Sequence, residues 1–243
     1  VVPDVYSLLN SVDDPATNDF TSERETNSVF GSVSLDFASM FFVEGTVRND
    51  WSSTLPEDNN SYFYPSASTS FVFSELLDLS WFDLGKVRFG WSQVGNDTDP
   101  YRVLATYNYN ANGAFQAAPR LFVEDDMVNN NLLPEQTTST EVGLDLVFFG
   151  NRAGLNFTYF DNVTTDQILP LEVSKATGYD SKYINAGEMS NTGFEASLHL
   201  VPLKINDFSW SIDVNYTTVE NTVEELYGDL ESLDIVRAPF GGV

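Results

Sequence analysis

The stretch that decides the fold begins at residues 132–160, LLPEQTTSTEVGLDLVFFGNRAGLNFTYF, and continues to Thr218. In its first alternating run, Val142, Leu144 and Leu146 are interleaved with Gly143 and Asp145. Successive side chains of a β-strand point to opposite faces of the sheet, so this period of two predicts a strand with one apolar and one polar face. Three further runs of the same kind cover residues 155–159, 194–200 and 208–216.

The connections between these runs alternate in length. The runs ending at Phe148 and beginning at Leu155 are joined by a tight turn, FGNR at residues 149–152, and residues 201–207 make a second short connection. Between those two hairpins lies a long polar segment, residues 161–190. Short turns at one end of a sheet and long loops at the other are typical of an outer-membrane β-barrel.

The first half of the chain predicts four more strands. Residues 29–37 and 41–48 form a hairpin around a turn at Ala38 and Ser39, and residues 62–73 and 87–91 follow. Pro65 cannot donate a ladder hydrogen bond, which a strand tolerates near its start or at a bulge. We therefore predict eight strands in four hairpins, of about the length that crosses a bilayer at a tilt. Residues 74–85 have helical spacing, and the predicted loops are 1–26, 49–60, 95–139, 161–190 and 218–243.

Alternation by itself is also compatible with a soluble sandwich. Two features favour a barrel. Aromatic side chains cluster at the ends of the apolar runs, where Tyr and Trp suit a membrane interface. Ionisable side chains lie on the polar faces in mid-strand, where a barrel would direct them into a hydrated lumen. The residues predicted to face the lumen are Glu44, Arg48, Arg88, Glu141, Asp145, Glu195, His199 and Asp213.

Composition excludes several classes of function. The 243 residues include 36 acidic and 11 basic side chains, and the net charge of −25 argues against nucleic acid as a partner. No apolar run is long enough for a membrane helix. His199 shares a face with Ser197 and Glu195, but strand neighbours two apart stand about 7 Å from each other, too far for a catalytic hydrogen bond. We predict no enzymatic activity, no cofactor and no metal site.

The longest unpatterned segment holds the candidate binding residues. Tyr101, Tyr107, Tyr109 and Asn110 could form a surface that stacks against sugars or contacts peptides, or an ordinary polar loop. Asp97, Asp99 and the acidic run 124–126 could bind Ca²⁺ through carboxylate oxygens. A solvated charge run is the favoured interpretation of these acidic residues.

Several segments of the chain resemble the SusC/RagA family of TonB-dependent outer-membrane transporters. Residues 132–160 resemble the family pattern L-K-P-E-x-T-x-x-x-E-x-G-L-D-x-x-F-F, with Leu133 where a basic residue is usual. Residues 168–198, ILPLEVSKATGYDSKYINAGEMSNTGFEASL, contain its N-A-G-x-x-x-N-x-G-F-E pattern. The further matching segments are FSWSIDVNYT (208–217), YFYPSASTSFVFSE (62–75) and VRFGWSQVGN (87–96), and the resemblance covers roughly residues 20–220.

The resemblance implies a function that the residues alone do not. It implies that residues 1–243 belong to one barrel domain and supply eight strands of a 22-stranded barrel in the outer membrane of a Gram-negative bacterium. The plug domain, the TonB-contacting segment and the early strands would precede Val1. Such a protein imports oligosaccharides or peptides with energy transmitted by TonB, together with a SusD-like surface lipoprotein.

Two other interpretations stay open at this point. One is a soluble or surface-attached β-sandwich that binds glycans, and the other is a passive porin-like barrel without a plug. The barrel interpretation also predicts that these eight strands leave two open edges and do not fold by themselves, because unpaired backbone groups in lipid are costly.

Overall fold

A computed structural model describes residues 21–115 and 118–226 of the chain, with side chains for 21–107 and 121–226. This part is built almost entirely of strands, with two short 3₁₀ helices at Phe73–Leu76 and Lys175–Thr177. In chain order the strands are β1 (Thr26–Phe37), β2 (Phe41–Ser52), β3 (Ser61–Val72), β4 (Phe82–Asn96), β5 (Tyr107–Phe115), β6 (Ala118–Val123), β7 (Asp126–Met127), β8 (Glu135–Phe148), β9 (Ala153–Thr165), β10 (Ile168–Glu172), β11 (Ser181–Asn185), β12 (Glu188–Ile205) and β13 (Phe208–Glu225).

Eight long strands form one antiparallel sheet. Its order is β1-β2-β3-β4-β8-β9-β12-β13, so every strand pairs with its predecessor and successor among the eight. The prediction of eight strands in four hairpins is confirmed. The two longest connections, residues 97–134 and 166–187, both lie at one end of the sheet, which we call the long-loop end; we call the opposite end the short-turn end.

The hairpin between β8 and β9 shows how the short-turn end is made. Phe149, Gly150 and Asn151 all have positive φ, which reverses the chain in the fewest residues. Glycine and asparagine adopt this left-handed conformation at little cost. The carboxylate of Asp83 accepts hydrogen bonds from the backbone N–H groups of Gly150 (2.7 Å) and Asn151 (3.2 Å), which fixes the turn against the start of β4.

The strand register sorts side chains into the two predicted faces. Directly opposed residues share a face, and one continuous row of them crosses the whole sheet. This row consists of Phe37, Phe41, Phe71, Val87, Leu144, Phe157, Ala196 and Tyr216. The apolar face is uncovered: Leu155 is 36% exposed, Leu198 38% and Trp210 52%. Over the described residues no second layer seals this face, so the fold does not support the sandwich interpretation.

The strands are longer than predicted at the long-loop end. We expected a loop from residue 218 onward, but β13 continues to Glu225, and residues 227–243 lie outside the described part. We also expected loops from residues 49 and 161, yet β2 runs to Ser52 and β9 to Thr165. The reason is that backbone ladders do not require alternation. Where polar residues predominate on both faces of a strand, the period of two weakens although the hydrogen bonds continue.

The segments predicted as unpatterned loops contain two small sheets. Strands β5 and β6 pair with each other, and β10, β11 and β7 form a three-stranded sheet. Residues 74–85, which have helical spacing, contain only the last three residues of the 3₁₀ helix that begins at Phe73. The start of β4 at Phe82 shows that sheet pairing outweighs the weak helical preference of this segment. The predicted loop 1–26 lies outside the described residues as far as residue 20.

Buried side chains concentrate at the long-loop end. Among the described residues, all buried apolar side chains except Val72 lie there: Leu55, Tyr62, Val103, Leu132, Ile184 and Ala186. Leu132 is completely buried. No helix in the described part has the length and apolar character needed to cross a membrane.

Candidate functional site

The eight ionisable residues predicted for the lumen share one face of the long sheet. Glu44 and Glu141 stand in the same row across the strands, separated by Ser68 and Gly90. The adjacent rows place the remaining side chains on the same side: Arg48, Arg88, Asp145, Glu195, His199 and Asp213. This face is opposite to the uncovered apolar face.

Arg88 is the centre of a hydrogen-bonded group on this polar face. Its Nε lies 2.9 Å from Asp145 Oδ2, and its Nη2 donates to Thr158 Oγ1 at 3.2 Å. Asn156 Nδ2 donates to the other oxygen of the same Asp145 carboxylate. These contacts join β4, β8 and β9. Gly143 makes room for the guanidinium, because a Cβ at that position would meet the Arg88 side chain at 2.7 Å.

Two further groups of polar side chains on this face are hydrogen-bonded, one across strands β12 and β13 and one around Asp50 on β2. His199 Nδ1 lies 2.6 Å from Asp213 Oδ1 on β13. Arg48 Nε donates to Asp50 Oδ1 at 2.8 Å, and Tyr64 donates to the second oxygen of that carboxylate at 2.5 Å. Among the described residues, His199 is hydrogen-bonded to Asp213 and not to a serine side chain.

A buried carboxylate ties the start of the described chain to the end of β4. The side chain of Asp97 is 1% exposed and forms an ion pair with Arg24. Both Ser52 and Thr54 donate their hydroxyls to Asp97 Oδ2, the latter at 3.0 Å. This structural role differs from the Ca²⁺ site considered above. Across residues 21–107 and 121–226, no three acidic or histidine side chains converge on a position where they could hold a metal ion.

The connections at the long-loop end line an open cavity of ≈ 570 Å³. Tyr101, one of the candidate binding residues named from the sequence, lines this cavity from a left-handed backbone conformation (φ 70°). Its hydroxyl accepts a hydrogen bond from the backbone N–H of Glu23 at 3.3 Å. Tyr107 is 69% exposed and does not line the cavity. The side chains of Tyr109 and Asn110 lie outside the described residues.

Arg102 forms one wall of this cavity. Its guanidinium lies 4.3 Å from the centre of the Tyr183 ring, a cation–π contact. It donates to Asp126 Oδ2 at 3.3 Å and lies 3.7 Å from Asp99. Burial raises the pKa of the Tyr183 hydroxyl above its ordinary value. The polar groups of this wall are thus held in a fixed arrangement.

Sequence reasoning missed Arg102, Tyr179 and Tyr183. Tyr179 and Tyr183 line the cavity together with residues about 80 positions earlier in the chain. They arrive there because β11 pairs with β7, whose first residue is Asp126. The only signal available in the sequence was the aromatic content of GYDSKY at residues 178–183, which by itself does not distinguish a cavity wall from a solvated loop.

This combination of features defines the class of the protein. A continuous antiparallel sheet, with an uncovered apolar face, a charged opposite face and long connections at one end only, is a segment of a β-barrel wall. The chain belongs to the TonB dependent receptor-like β-barrel family, whose model matches residues 3–239.

Individual relatives agree with this assignment. The TonB-dependent receptor P3 of Formosa agariphila is 31% identical over 226 residues, covering 90% of this chain and 22% of the relative. The TonB-dependent receptor SusC of Bacteroides thetaiotaomicron is 26% identical over 226 residues, covering 87% of this chain and 22% of SusC. The chain thus spans about a fifth of the length of the curated relatives it matches.

A solved structure shows the same fold. The chain superposes on the RagAB peptide transporter with a TM-score of 0.78 at 22% identity, covering 85% of this chain and 23% of the transporter chain. The SusC/RagA resemblance seen in the sequence is confirmed by the relatives and by this fold.

Proposed function

We propose that this chain forms part of the wall and outer connections of a TonB-dependent importer in the outer membrane of a Gram-negative bacterium. In this proposal residues 1–243 belong to one barrel domain of a longer protein that also supplies a plug and the remaining strands. The importer takes up oligosaccharides or peptides and works with a SusD-like surface lipoprotein and with TonB. The family match over residues 3–239 is the observation that carries the proposal.

The uncovered apolar face supports a membrane location. Apolar side chains as exposed as Phe37 (75%) and Tyr216 (57%) are unfavourable in water when they form a continuous face. Hydrocarbon chains of the outer membrane would cover them. The row of residues that crosses all eight strands means that this cover must extend over the entire width of the sheet.

The two edge strands support a larger barrel. Among the described strands, β1 pairs only with β2, and β13 pairs only with β12. An open strand edge within lipid leaves backbone N–H and C=O groups without partners, at a cost of several kcal/mol each. Further strands of the same protein would pair with both edges, which agrees with the small fraction of each relative that this chain covers.

The polar face would then line the lumen. Its ion pairs, such as Arg88 with Asp145, are only partly buried, and its glutamates at positions 44, 141 and 195 are exposed. Charged side chains in this number suit water or a polar plug and not lipid. The solved structure with the same fold is that of a peptide transporter, RagAB, and this similarity supports import as the function of the complete protein.

The experiment that tests the proposal compares uptake with and without TonB. The full-length protein is expressed in a Gram-negative host, its outer-membrane location is verified by fractionation, and uptake of labelled oligosaccharides and peptides is measured. We expect uptake only in the host that has TonB, and co-purification of a surface lipoprotein. Equal uptake in a host lacking TonB would identify a passive pore, and recovery of the protein without detergent would contradict the membrane location.

A further inference from the structure

The cavity at the long-loop end has the dimensions and lining of a ligand site. Its ≈ 570 Å³ lies within the range of roughly 300–1,000 Å³ that holds small ligands. Its walls are mainly apolar and aromatic, with a few convergent charged groups. The aromatic members are Tyr101, Tyr179 and Tyr183.

The charges that line the cavity are unbalanced. Two carboxylates, Asp99 and Asp126, face a single guanidinium, Arg102, which gives these three groups a formal charge of −1. Glu124, which also lines the cavity, has a partner of its own. The whole chain carries −25, so the surroundings add to this negative potential. Anionic ligands are therefore disfavoured. The binding of a cationic ligand is favoured both by attraction to the carboxylates and by cation–π contact with the tyrosine rings.

Arg102 already makes the two kinds of contact that a ligand cation would need at this wall. Its guanidinium is placed between the face of Tyr183 and the carboxylate of Asp126. Asp126 is engaged by Arg102 and by the hydroxyl of Ser181 at 2.5 Å. Asp99, in contrast, has a side chain that is 82% exposed and only a distant contact with Arg102. It is the carboxylate best placed to meet an incoming cation.

We infer that this cavity binds a peptide segment in which a lysine or arginine side chain is flanked by apolar residues. The cation contacts Asp99 and a tyrosine face, and the apolar neighbours pack on Pro100, Leu104 and Val128. That a peptide can reach this cavity from outside the cell rests on the proposed function, which directs these connections outward. The binding of a peptide to the purified protein does not depend on the proposed function.

The test uses the full-length protein in detergent and three blocked pentapeptides that differ only in a central Lys, Gln or Glu between two leucines. Affinities are measured by calorimetry on unlabelled peptide. We expect the Lys peptide to bind at least about tenfold more tightly than the Glu peptide. Asp99→Lys should abolish this preference, and Asp99→Asn should weaken it. Asp207→Lys, in the short turn at the opposite end of the sheet, should leave it unchanged.

Three results would overturn the inference: no peptide binds, all three peptides bind equally, or the preference survives in Asp99→Lys. Tighter binding of a neutral oligosaccharide such as maltoheptaose, unaffected by Asp99→Lys, would also overturn it and would identify the cavity as a glycan site. TonB-dependent uptake that persists in any of these cases would leave the proposed function intact.

Discussion

The long sheet and the connections at its long-loop end are held together in different ways. The sheet is defined by backbone ladders, and many of its large apolar side chains are exposed. The connections, here called the loop layer (residues 53–60, 97–134 and 166–187), bury most of the described apolar core. Their irregular backbone is held by amide side chains: Asn59 donates to the carbonyl of Leu132, and Asn185 donates to the carbonyls of Leu133 and Asp166.

This difference shows what each region needs from its surroundings. The sheet lacks a core of its own, so its stability depends on the medium or partner that covers its two faces. The loop layer has an internal core and is expected to keep its structure in water. Substitutions of matched neighbours can separate these two sources of stability.

The largest effect is expected from Leu132→Ala in the loop layer. Leu132 is completely buried, and removing a buried leucine side chain costs about 2–5 kcal/mol. Leu133→Ala is the matched control, because Leu133 is 42% exposed and bonds to Asn185 only through its backbone. Amide hydrogen exchange of β10 and β11 in the full-length protein should accelerate for the first variant only. Equal acceleration would show that the loop layer has no core around Leu132.

The second prediction tests whether lipid covers the apolar face of the sheet. Leu198 and Ser197 are neighbours on β12 that point to opposite faces. An arginine at a lipid-facing position near the middle of a membrane costs about 2–4 kcal/mol, whereas an arginine facing the lumen is tolerated. Leu198→Arg should therefore lower the yield of folded protein in the outer-membrane fraction, and Ser197→Arg should not. A loss of similar size in both variants would argue against lipid on the apolar face.

The third effect concerns the buried carboxylate that links the two regions. Asp97→Ala leaves the buried hydroxyls of Ser52 and Thr54 without their acceptor, and we expect a loss of about 1–3 kcal/mol. Asp99→Ala, which removes an 82% exposed carboxylate, should cost less than about 1 kcal/mol. Thermal unfolding in detergent measures both. The interpretation of Asp97 as a structural anchor fails if the two variants unfold alike.

The last effect, of about the same size as the third, distinguishes two glycines in one row of the polar face. A Cβ on Gly193 would collide with the carbonyl oxygen of Thr218 and would lie 2.7 Å from the Phe160 ring. Gly193→Ala should cost about 1–3 kcal/mol as the strands shift apart. A Cβ on Gly90 meets nothing closer than 3.9 Å, so Gly90→Ala should be almost neutral. Similar unfolding temperatures would show that β12 and β13 can adjust to a side chain at position 193.

Much of the sheet could be predicted because alternation and turn residues are local signals. The alternating runs 142–148 and 155–159 and the turn at Gly150 placed the central parts of β8 and β9, although β8 begins at Glu135, within the predicted loop 95–139. The extension of β13 to Glu225 was not predicted, since polar residues predominate beyond Thr217 and only Val219 and Val223 interrupt them. The candidate site was recognised only in part: Tyr101 lines the cavity, but its partners Arg102 and Tyr183 gave no pattern that would connect them.

The sequence by itself determined the central part of the eight long strands, which face of each is apolar and which family the chain resembles, because each of these follows from residue spacing within a single segment. The tertiary structure decided where the strands end, which carboxylates are buried and which tyrosine contacts Arg102. These depend on contacts between segments tens of residues apart, such as the parallel pairing of β7 with β11, and no local pattern encodes such a distance.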